Sequence, residues 1–229
     1  MLRARGRDHL RRGVAIRIEP VTQAALLTVV AGIADAVGYI TMGGVFAANM
    51  TGNTVLAGID LARTDYVGAW HHLTPLAAFL VGAMMARALL RLRRSPVAGL
   101  LIEAAIIAGV GFFDIGEEAA VMIVALAMGI QASTITSFAG SAISTVVVTS
   151  TLARTADAIV DWMWPGADVK PPSAINAVLM TLTWSGYLVG AVIGAMLVAH
   201  VAYPLLVPAG LLLIVLLFDL TKPRPTSAA

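Results

Sequence analysis

Ionisable and polar side chains inside apolar segments are the residues of this chain that could do chemistry. Asp35 has apolar residues on both sides, in a run that extends from Ala24 past Ile40. An ionised Asp at the centre of a membrane helix costs about 2.5–3.5 kcal/mol, so such a residue normally faces a cavity or a partner. Asp35 is therefore a candidate for binding a proton, a cation or a solute. The alternative is that it hydrogen-bonds a neighbouring interrupted helix.

Further polar residues surround a glycine downstream of Asp35. Thr51, Gly52 and Asn53 follow a Gly-rich stretch at 43–44. Irregular backbone at membrane depth must be buried in protein or line a water-filled cavity. These residues therefore either line a substrate site or only satisfy the interrupted helix. With a comparably polar set in the second half, the candidate substrate-binding or ion-binding residues are Asp35, Thr51, Gly52, Asn53, Gln131, Thr149, Ser150 and Thr151.

The elements that must hold these residues are membrane helices. Of the 229 residues, 59% are hydrophobic and 12% are charged, whereas soluble domains carry about 25% charged residues. The apolar residues form several runs of the roughly 20 residues that a helix needs to cross a bilayer. The basic residues flank these runs, where positive charge sets orientation, so the net charge of +2 does not indicate nucleic acid. The sequence predicts an all-α integral membrane protein whose partner is the lipid bilayer.

Matching segments recur in the same order in the two halves of the chain. The pairs are Gly32-Ile33 with Gly129-Ile130, 51–53 with 149–151, 79–83 with 187–191, and 100–114 with 205–219. Their offsets are 97, 98, 108 and 105 residues, and the increase of ten corresponds to an insertion at Asp161–Pro172, a predicted surface loop rich in Pro, Gly and Trp. We infer a duplication with four segments in each half. They are predicted at 23–42, 44–61, 70–91 and 97–113, and at 119–138, 140–158, 174–199 and 203–220.

Charge favours one of two membrane topologies. If the second segment of each half spans, the halves are parallel, and Lys and Arg divide 11 to 4 between the cytoplasmic and outer sides. If that segment enters and leaves on the same side, the halves are inverted and the division is 14 to 1. Because positive residues concentrate on the cytoplasmic side, we predict two inverted repeats, each with three transmembrane helices and one broken or re-entrant segment. This is a recurring transporter plan.

The same reasoning divides the chain into a transmembrane domain and two tails. Residues 1–22 are predicted to be a basic cytoplasmic N-terminal tail, 23–220 the transmembrane domain, with repeats at 23–114 and 119–220, and 221–229 a cytoplasmic C-terminal tail. Glu103, near the start of the fourth segment, is expected to pair with the basic cluster at Arg91–Arg94. Small residues four apart suit helix packing within the monomer or in a homo-oligomer. They are Gly82 with Ala86 and Gly190 with Gly194.

Four motifs resemble the YoaK family of bacterial multi-pass membrane proteins, which is catalogued as a domain of unknown function. The motifs are Gly32–Tyr39, Met50–Thr54, Met128–Gln131 and Thr149–Leu152. The resemblance covers residues 23–220, although the family usually has Gly where this chain has Ser150. It implies a protein of the bacterial inner (plasma) membrane, and it implies no substrate or reaction.

Several functional classes lack their signatures in this sequence. The chain has no cysteine, and it has no Walker-type, GxSxG or HExxH motif. His71 and His72 lack further ligands at metal-binding spacing. We therefore expect no catalytic residues, no metal, no cofactor and no enzyme activity. The remaining hypotheses are a transporter or channel for a small solute or ion, with a polar site between the repeats, and a non-transporting membrane scaffold or accessory subunit.

Overall fold

The computed structural model describes residues 18–93, 96–135, 148–164 and 174–220. Within these ranges the chain is all-helical, with eight helices in the predicted order. They are α1 Ile18–Thr41, α2 Met50–Ala62, α3 Tyr66–Arg93, α4 Val97–Phe112, α5 Glu117–Ile135, α6 Val148–Met163, α7 Ala174–His200 and α8 Leu206–Leu220. The helices α2 and α6 begin six and eight residues later than their predicted segments. Residues 18–22, predicted to belong to the N-terminal tail, form the first part of α1. The rest of that tail and the C-terminal tail lie outside these ranges.

Helix length and hydropathy confirm the membrane class. Four of the described helices are long and apolar enough to cross a bilayer, namely α1, α3, α5 and α7. The helices α4 and α8 are shorter and apolar. The second segment of each half forms a short helix, α2 or α6, that is not among the spanning candidates. Asp161, Trp162 and Met163 belong to α6, so the predicted insertion loop begins later than expected, and its remainder after Trp164 lies outside the described residues.

Four helices form the centre of the molecule. The helix α1 contacts α5 and α8, and α4 contacts the same two helices. Their facing sides carry buried apolar residues, among them Leu27, Ile107, Met128 and Leu212. At the periphery, α7 packs on α1 and α3 packs on α5, while α6 lies on α7 and α2 lies on α3. The peripheral helices α3 and α7 expose many apolar side chains, such as Met84 and Val192, as lipid-facing helices do.

Backbone-to-backbone contact brings α7 against α1. A Cβ atom added at Gly32 would overlap the carbonyl oxygen of Tyr187, and one added at Gly190 would overlap the carbonyl oxygen of Val29. Only a residue without a side chain permits this approach. Gly190 therefore serves packing within the chain, which is one of the two roles expected from its spacing.

The contact between α3 and α5 has the same form. A Cβ atom at Gly129 would overlap the carbonyl oxygen of Phe79, and one at Gly82 would overlap the carbonyl oxygen of Leu126. Gly82 thus also packs within the chain. Two peripheral helices are joined to the centre by the same device, a glycine on each partner at the crossing point.

The ends of several helices meet at one end of the bundle, which we call the cavity end. It is formed by the end of α1 at Thr41, the end of α4 at Phe112, the start of α5 at Glu117 and the segment before α8 at Tyr203. A cavity of about 430 Å³ opens between them. The rings of Phe112 and Tyr203 stack with centroids 5.8 Å apart. Consequently α1 and α4 run toward this end, and α5 and α8 run away from it.

Candidate functional site

The helix break between α1 and α2 lies close to Asp35. After Thr41 the chain turns through Gly43 and Gly44, whose φ angles of +71° and +77° favour residues without a Cβ. The following non-helical segment, Val45 to Asn49, then runs back along α1. A Cβ atom at Gly38 would lie 3.0 Å from the carbonyl oxygen of Val45. We call residues 45–49 the broken segment.

Asp35 accepts the hydrogen bonds that the broken segment offers. Its side chain is 2% exposed, and it lies about 9 Å from the end of α1 along the helix axis. The Oδ1 atom accepts from the backbone N–H of Ala48 at 2.5 Å and from that of Asn49 at 3.2 Å. These are backbone groups that have no helical partner because the helix is interrupted, and a carboxylate satisfies both with one oxygen.

The second oxygen of Asp35 reaches the other half of the chain. The Oδ2 atom accepts a short hydrogen bond from the hydroxyl of Tyr187 on α7. Tyr187 is also the residue whose carbonyl oxygen touches Gly32, so the glycine contact brings the two side chains within reach of each other. One buried carboxylate therefore joins α1, the broken segment and α7.

Asn53 holds the other end of the broken segment. Its side chain is fully buried. The Oδ1 atom accepts from the backbone N–H of Phe46 at 2.9 Å, and the Nδ2 atom donates to the carbonyl oxygen of Phe46 at 2.7 Å. The side chain of Asn49 caps α2 by accepting from the N–H of Gly52 at 3.1 Å. The structure thus brings Asp35, Gly52 and Asn53 around the broken segment.

Thr51 points away from this site. Its side chain is exposed, and so is that of Thr54, whose hydroxyl bonds back to the carbonyl oxygen of Met50 at 2.8 Å. Thr51 lies on the opposite face of α2 from Asn53, and Thr54 lies about 100° around the helix from Asn53. A three-residue motif in a helix cannot present every member to the same side.

Gln131 lies deeper in the molecule than Asp35. Its Nε2 atom donates to the carbonyl oxygen of Leu27 at 3.0 Å, across the contact between α5 and α1. Leu27 is two turns before Asp35, about 12 Å along the helix axis. Gln131 is fully buried, but it does not belong to the group around the broken segment.

The remaining candidates, Thr149, Ser150 and Thr151, lie in the first turn of α6. Their side chains lie outside the described part of the molecule, so the role predicted for them stays a prediction. Among the described residues, α6 contacts α7 and α2 contacts α3, and no contact joins α2 to α6. The two short helices thus flank the bundle on their own peripheral partners.

Both ends of the segment from 42 to 62 lie at the cavity end. Gly43 packs against the ring of His71 near the start of α3. At the end of α2, Asp60 lies 3.4 Å from His72 Nε2. The chain therefore leaves the end of α1, reaches the level of Asp35 through the broken segment, and returns along α2. His71 and His72 belong to no group of three or more metal-ligating side chains within the described ranges.

The positions of two residues inside the molecule, Tyr187 and Glu103, were not predicted from the sequence. Tyr187 had appeared only as part of the repeat match, and its place opposite Phe79 in that match was the available signal. Glu103 was expected to pair with arginines at the cytoplasmic edge, and this expectation is wrong. Its side chain is 0% exposed, and neither carboxyl oxygen has a hydrogen-bond partner in the described part of the chain.

A membrane-buried carboxylate that bridges a broken helix and a helix of the other half, set among long apolar helices, defines a multi-pass transmembrane protein with an internal polar site. Residues 23–218 match the family model described as "Protein of unknown function (DUF1275)". The chain belongs to this family, which confirms the resemblance of its motifs.

A curated relative supports the same assignment. The chain is 30% identical to the UPF0700 transmembrane protein YoaK of Bacillus subtilis (strain 168) over 186 residues, which cover 76% of this chain and 82% of the relative. No solved structure matches the chain.

Proposed function

We propose that this chain is a transporter or channel for a small solute or ion in the bacterial inner membrane, with its polar site at Asp35 and the broken segment. One observation carries the proposal. The carboxylate of Asp35 holds the broken segment of the first half and the hydroxyl of Tyr187 from the second half at the same time. A structural cap would need only the first of these contacts.

The chemistry of this carboxylate suits a switch, in which protonation or cation binding at Asp35 changes the position of the broken segment. Three donors converge on it, two backbone N–H groups and one phenol. A carboxylate accepts on both oxygens, whereas a protonated carboxyl group has an O–H that must donate. Protonation or cation binding at Asp35 would therefore weaken the bonds to Ala48 and Asn49, while the hydroxyl of Tyr187 can rotate and accept. The broken segment would be released from α1.

The glycine contacts support two repeats as the framework. Gly32 touches Tyr187 and Gly190 touches Val29, while Gly129 touches Phe79 and Gly82 touches Leu126. Each residue of the first contact corresponds to a residue of the second under the offsets found in the sequence, with the halves exchanged. This exchange is what a pseudo-twofold axis through the four central helices would produce.

The cavity end supports the inverted arrangement of these repeats. The first and fourth helices of the first half, α1 and α4, end there, and their counterparts α5 and α8 begin there. Repeats related by an axis in the membrane plane have this property. In a parallel arrangement α1 and α5 would run in the same direction. The course of residues 42–62 fits a re-entrant second segment.

The pseudo-symmetry does not extend to the chemistry. The residue that corresponds to Asp35 is Ala132, and the residue that corresponds to Tyr187 is Phe79. The polar bridge therefore belongs to one of the two equivalent crossings. This asymmetry favours a specific role for the bridge over a general requirement of the fold, because the apolar crossing packs through the same glycine contact.

The second candidate function is a membrane scaffold or accessory subunit without transport. It is favoured by the complete hydrogen bonding of Asp35, whose two oxygens both have partners. In that case the polar residues would stabilise the broken segment and do nothing further.

A solute-uptake screen over a pH series in proteoliposomes separates the two candidates. The variant Asp35→Asn keeps the shape and an acceptor oxygen and removes the charge. Asp157→Asn on α6, where the side chain is exposed, is the matched control. For a transporter we expect Asp35→Asn to fold and to lose pH-dependent or ion-dependent uptake, and Asp157→Asn to retain it. Uptake by Asp35→Asn with unchanged pH dependence would contradict the switch. Failure of the wild type to transport any solute would favour the scaffold.

A further inference from the structure

A second buried carboxyl group lies inside the central helices. Glu103 is in the middle of α4, on the stripe that also carries Leu100, Ala104 and Ile107, all of them buried against the centre. It is 0% exposed, and both of its oxygens lack a hydrogen-bond partner in the part of the chain that the structure describes. Asp35, by comparison, uses both oxygens. Glu103 therefore has hydrogen-bonding capacity that the fold does not use.

Two amide side chains on neighbouring central helices also have unused atoms. Gln131 on α5 donates through Nε2 to Leu27, but its buried Oε1 atom has no partner. Gln23 lies one turn before Leu27 on α1, is 2% exposed and has an unpaired Nε2 atom. Buried polar atoms without partners are rare in native proteins and call for an explanation.

The packing of α4 on α5 places Glu103 and Gln131 on adjacent turns of the two helices. A Cβ atom at Gly99 would lie 2.7 Å from the hydroxyl of Thr134 and 3.7 Å from Ile130, so these turns are in contact. The helices are antiparallel, because α4 ends and α5 begins at the cavity end. Side chains tilt toward the N-terminus of their own helix. Glu103 therefore leans toward the level of Gly99, and Gln131, which lies near that level, leans toward the cavity end and so toward the level of Glu103.

Among the side chains that the structure describes, no cation of the helices packed on α4 faces this position. The helix α4 contacts α3, α5 and α8. On α3, Arg87 and Arg91 are exposed, and His71 and His72 lie near the other end of the helix. On α5, Glu117 and Glu118 are exposed at the cavity end. The described side chains of α8, from Leu206 to Leu217, include no titratable group.

We propose that Glu103 is a proton-binding site that exchanges its proton with the cavity end, and that Gln131 Oε1 accepts the hydrogen bond of the protonated acid. An unpaired carboxylate in an apolar interior is strongly disfavoured, so the neutral acid is the form that this position admits at rest. A hard divalent cation would need six or more oxygen ligands, and Glu103 and Gln131 supply three.

The route to the cavity end is short. Glu103 lies seven residues before Val110, which lines the cavity, or about 10 Å along the axis of α4. Ile107 stands between them, so proton exchange requires the ends of the central helices to separate. The proposal rests on the proposed transport function, in which the proton bound at Glu103 would be the coupling ion. Proton binding at Glu103 can itself be measured without a transported substrate.

Infrared difference spectroscopy of the purified protein in lipid nanodiscs, recorded over a pH series, tests the site. We expect a carbonyl-stretch band of a protonated carboxylic acid that disappears as pH rises. The band should be absent in Glu103→Gln and present in Asp35→Asn. In Gln131→Leu it should move to higher frequency, because the acceptor of the acid proton is gone. If Glu103→Gln does not fold, the frequency shift in Gln131→Leu assigns the band to Glu103.

Three results would overturn the proposal. A Glu103 band that is the same at every pH would mean a permanently neutral structural acid. The absence of any band that depends on Glu103 or Gln131 would mean an ionised group. Loss of the band on adding Na⁺ or K⁺ at constant pH would mean a metal cation site. A titrating Glu103 in a protein that transports nothing would leave this site standing and would remove the transport proposal.

Discussion

At the scale of single residues, two side chains replace the helical hydrogen bonds that the broken segment lacks. Asp35 accepts from Ala48 and Asn49, and Asn53 both accepts from and donates to Phe46. An anionic acceptor suits adjacent N–H groups, while an amide suits a backbone position that offers a donor and an acceptor. The two residue types are therefore not interchangeable at these positions.

Removal of the side-chain amide of Asn53 should destabilise the protein much more than removal of the hydroxyl of Thr51. Asn53→Ala leaves the N–H and the carbonyl of Phe46 without partners, at a cost of about 1–3 kcal/mol for a buried group. Thr51→Ala is the control, because Thr51 is exposed and such changes usually stay within about 0.5 kcal/mol. Thermal unfolding in detergent measures both. Equal unfolding temperatures for the two variants would show that the Asn53 side chain does not form its hydrogen bonds to Phe46.

At the scale of helices, glycine contacts decide which helices are neighbours. In a bilayer, apolar side chains gain little by leaving lipid, so helices associate where small residues permit close backbone approach. Gly32 and Gly190 meet this requirement for α1 and α7, and Gly129 and Gly82 meet it for α5 and α3. The contact of α1 with α7 has the further consequence that Asp35 and Tyr187 share a hydrogen bond.

Alanine at either crossing should loosen the bundle. In Gly32→Ala and Gly129→Ala the new methyl group would overlap a carbonyl oxygen of the partner helix, and overpacking of this kind costs about 1–3 kcal/mol. The matched control is Gly109→Ala in α4, where a Cβ atom has open space. That variant should be neutral or more stable, because Ala exceeds Gly in helix propensity by about 1 kcal/mol. Unfolding temperature and monodispersity on size exclusion measure the difference, and equal loss in all three variants would contradict the packing account.

At the scale of the whole molecule, the direction of each helix relative to the cavity end constrains the topology. The described helices α1 and α4 end there, and α5 and α8 begin there. The positive residues of the chain fall almost entirely on the other side if this end is the outer one, with Arg63 as the exception. The helix directions and the charge distribution both agree with the proposed inverted repeats.

Cysteine labelling in membranes should reproduce this arrangement, and the absence of native cysteine simplifies it. Single cysteines at Asp114 and Tyr203, which line the cavity, should react with an impermeant reagent from the periplasm. A cysteine at the exposed position Arg91 should react only after permeabilisation. The parallel arrangement with eight crossings predicts the reverse for Arg91 and Asp114. Periplasmic labelling at Arg91 would therefore exclude the inverted topology.

The sequence by itself determined the membrane class and the order of the helices, and it identified Asp35 and Asn53 as polar residues that need partners inside the protein. These are local properties, since the length of an apolar run and the cost of a charge or a helix break inside it can be read one segment at a time. The match between the two halves of the sequence added the hypothesis of a duplication with four corresponding segments in each half.

Only the tertiary structure decided which groups meet. Tyr187 lies 152 residues from Asp35 in the chain, Thr51 faces outward beside the buried Asn53, and Glu103 lies inside the bundle instead of beside the arginines. The rotation of each helix and the choice of its neighbour depend on backbone contact at glycines from distant segments. A local pattern identifies a residue that needs a partner, and the packing of the helices determines which partner it has.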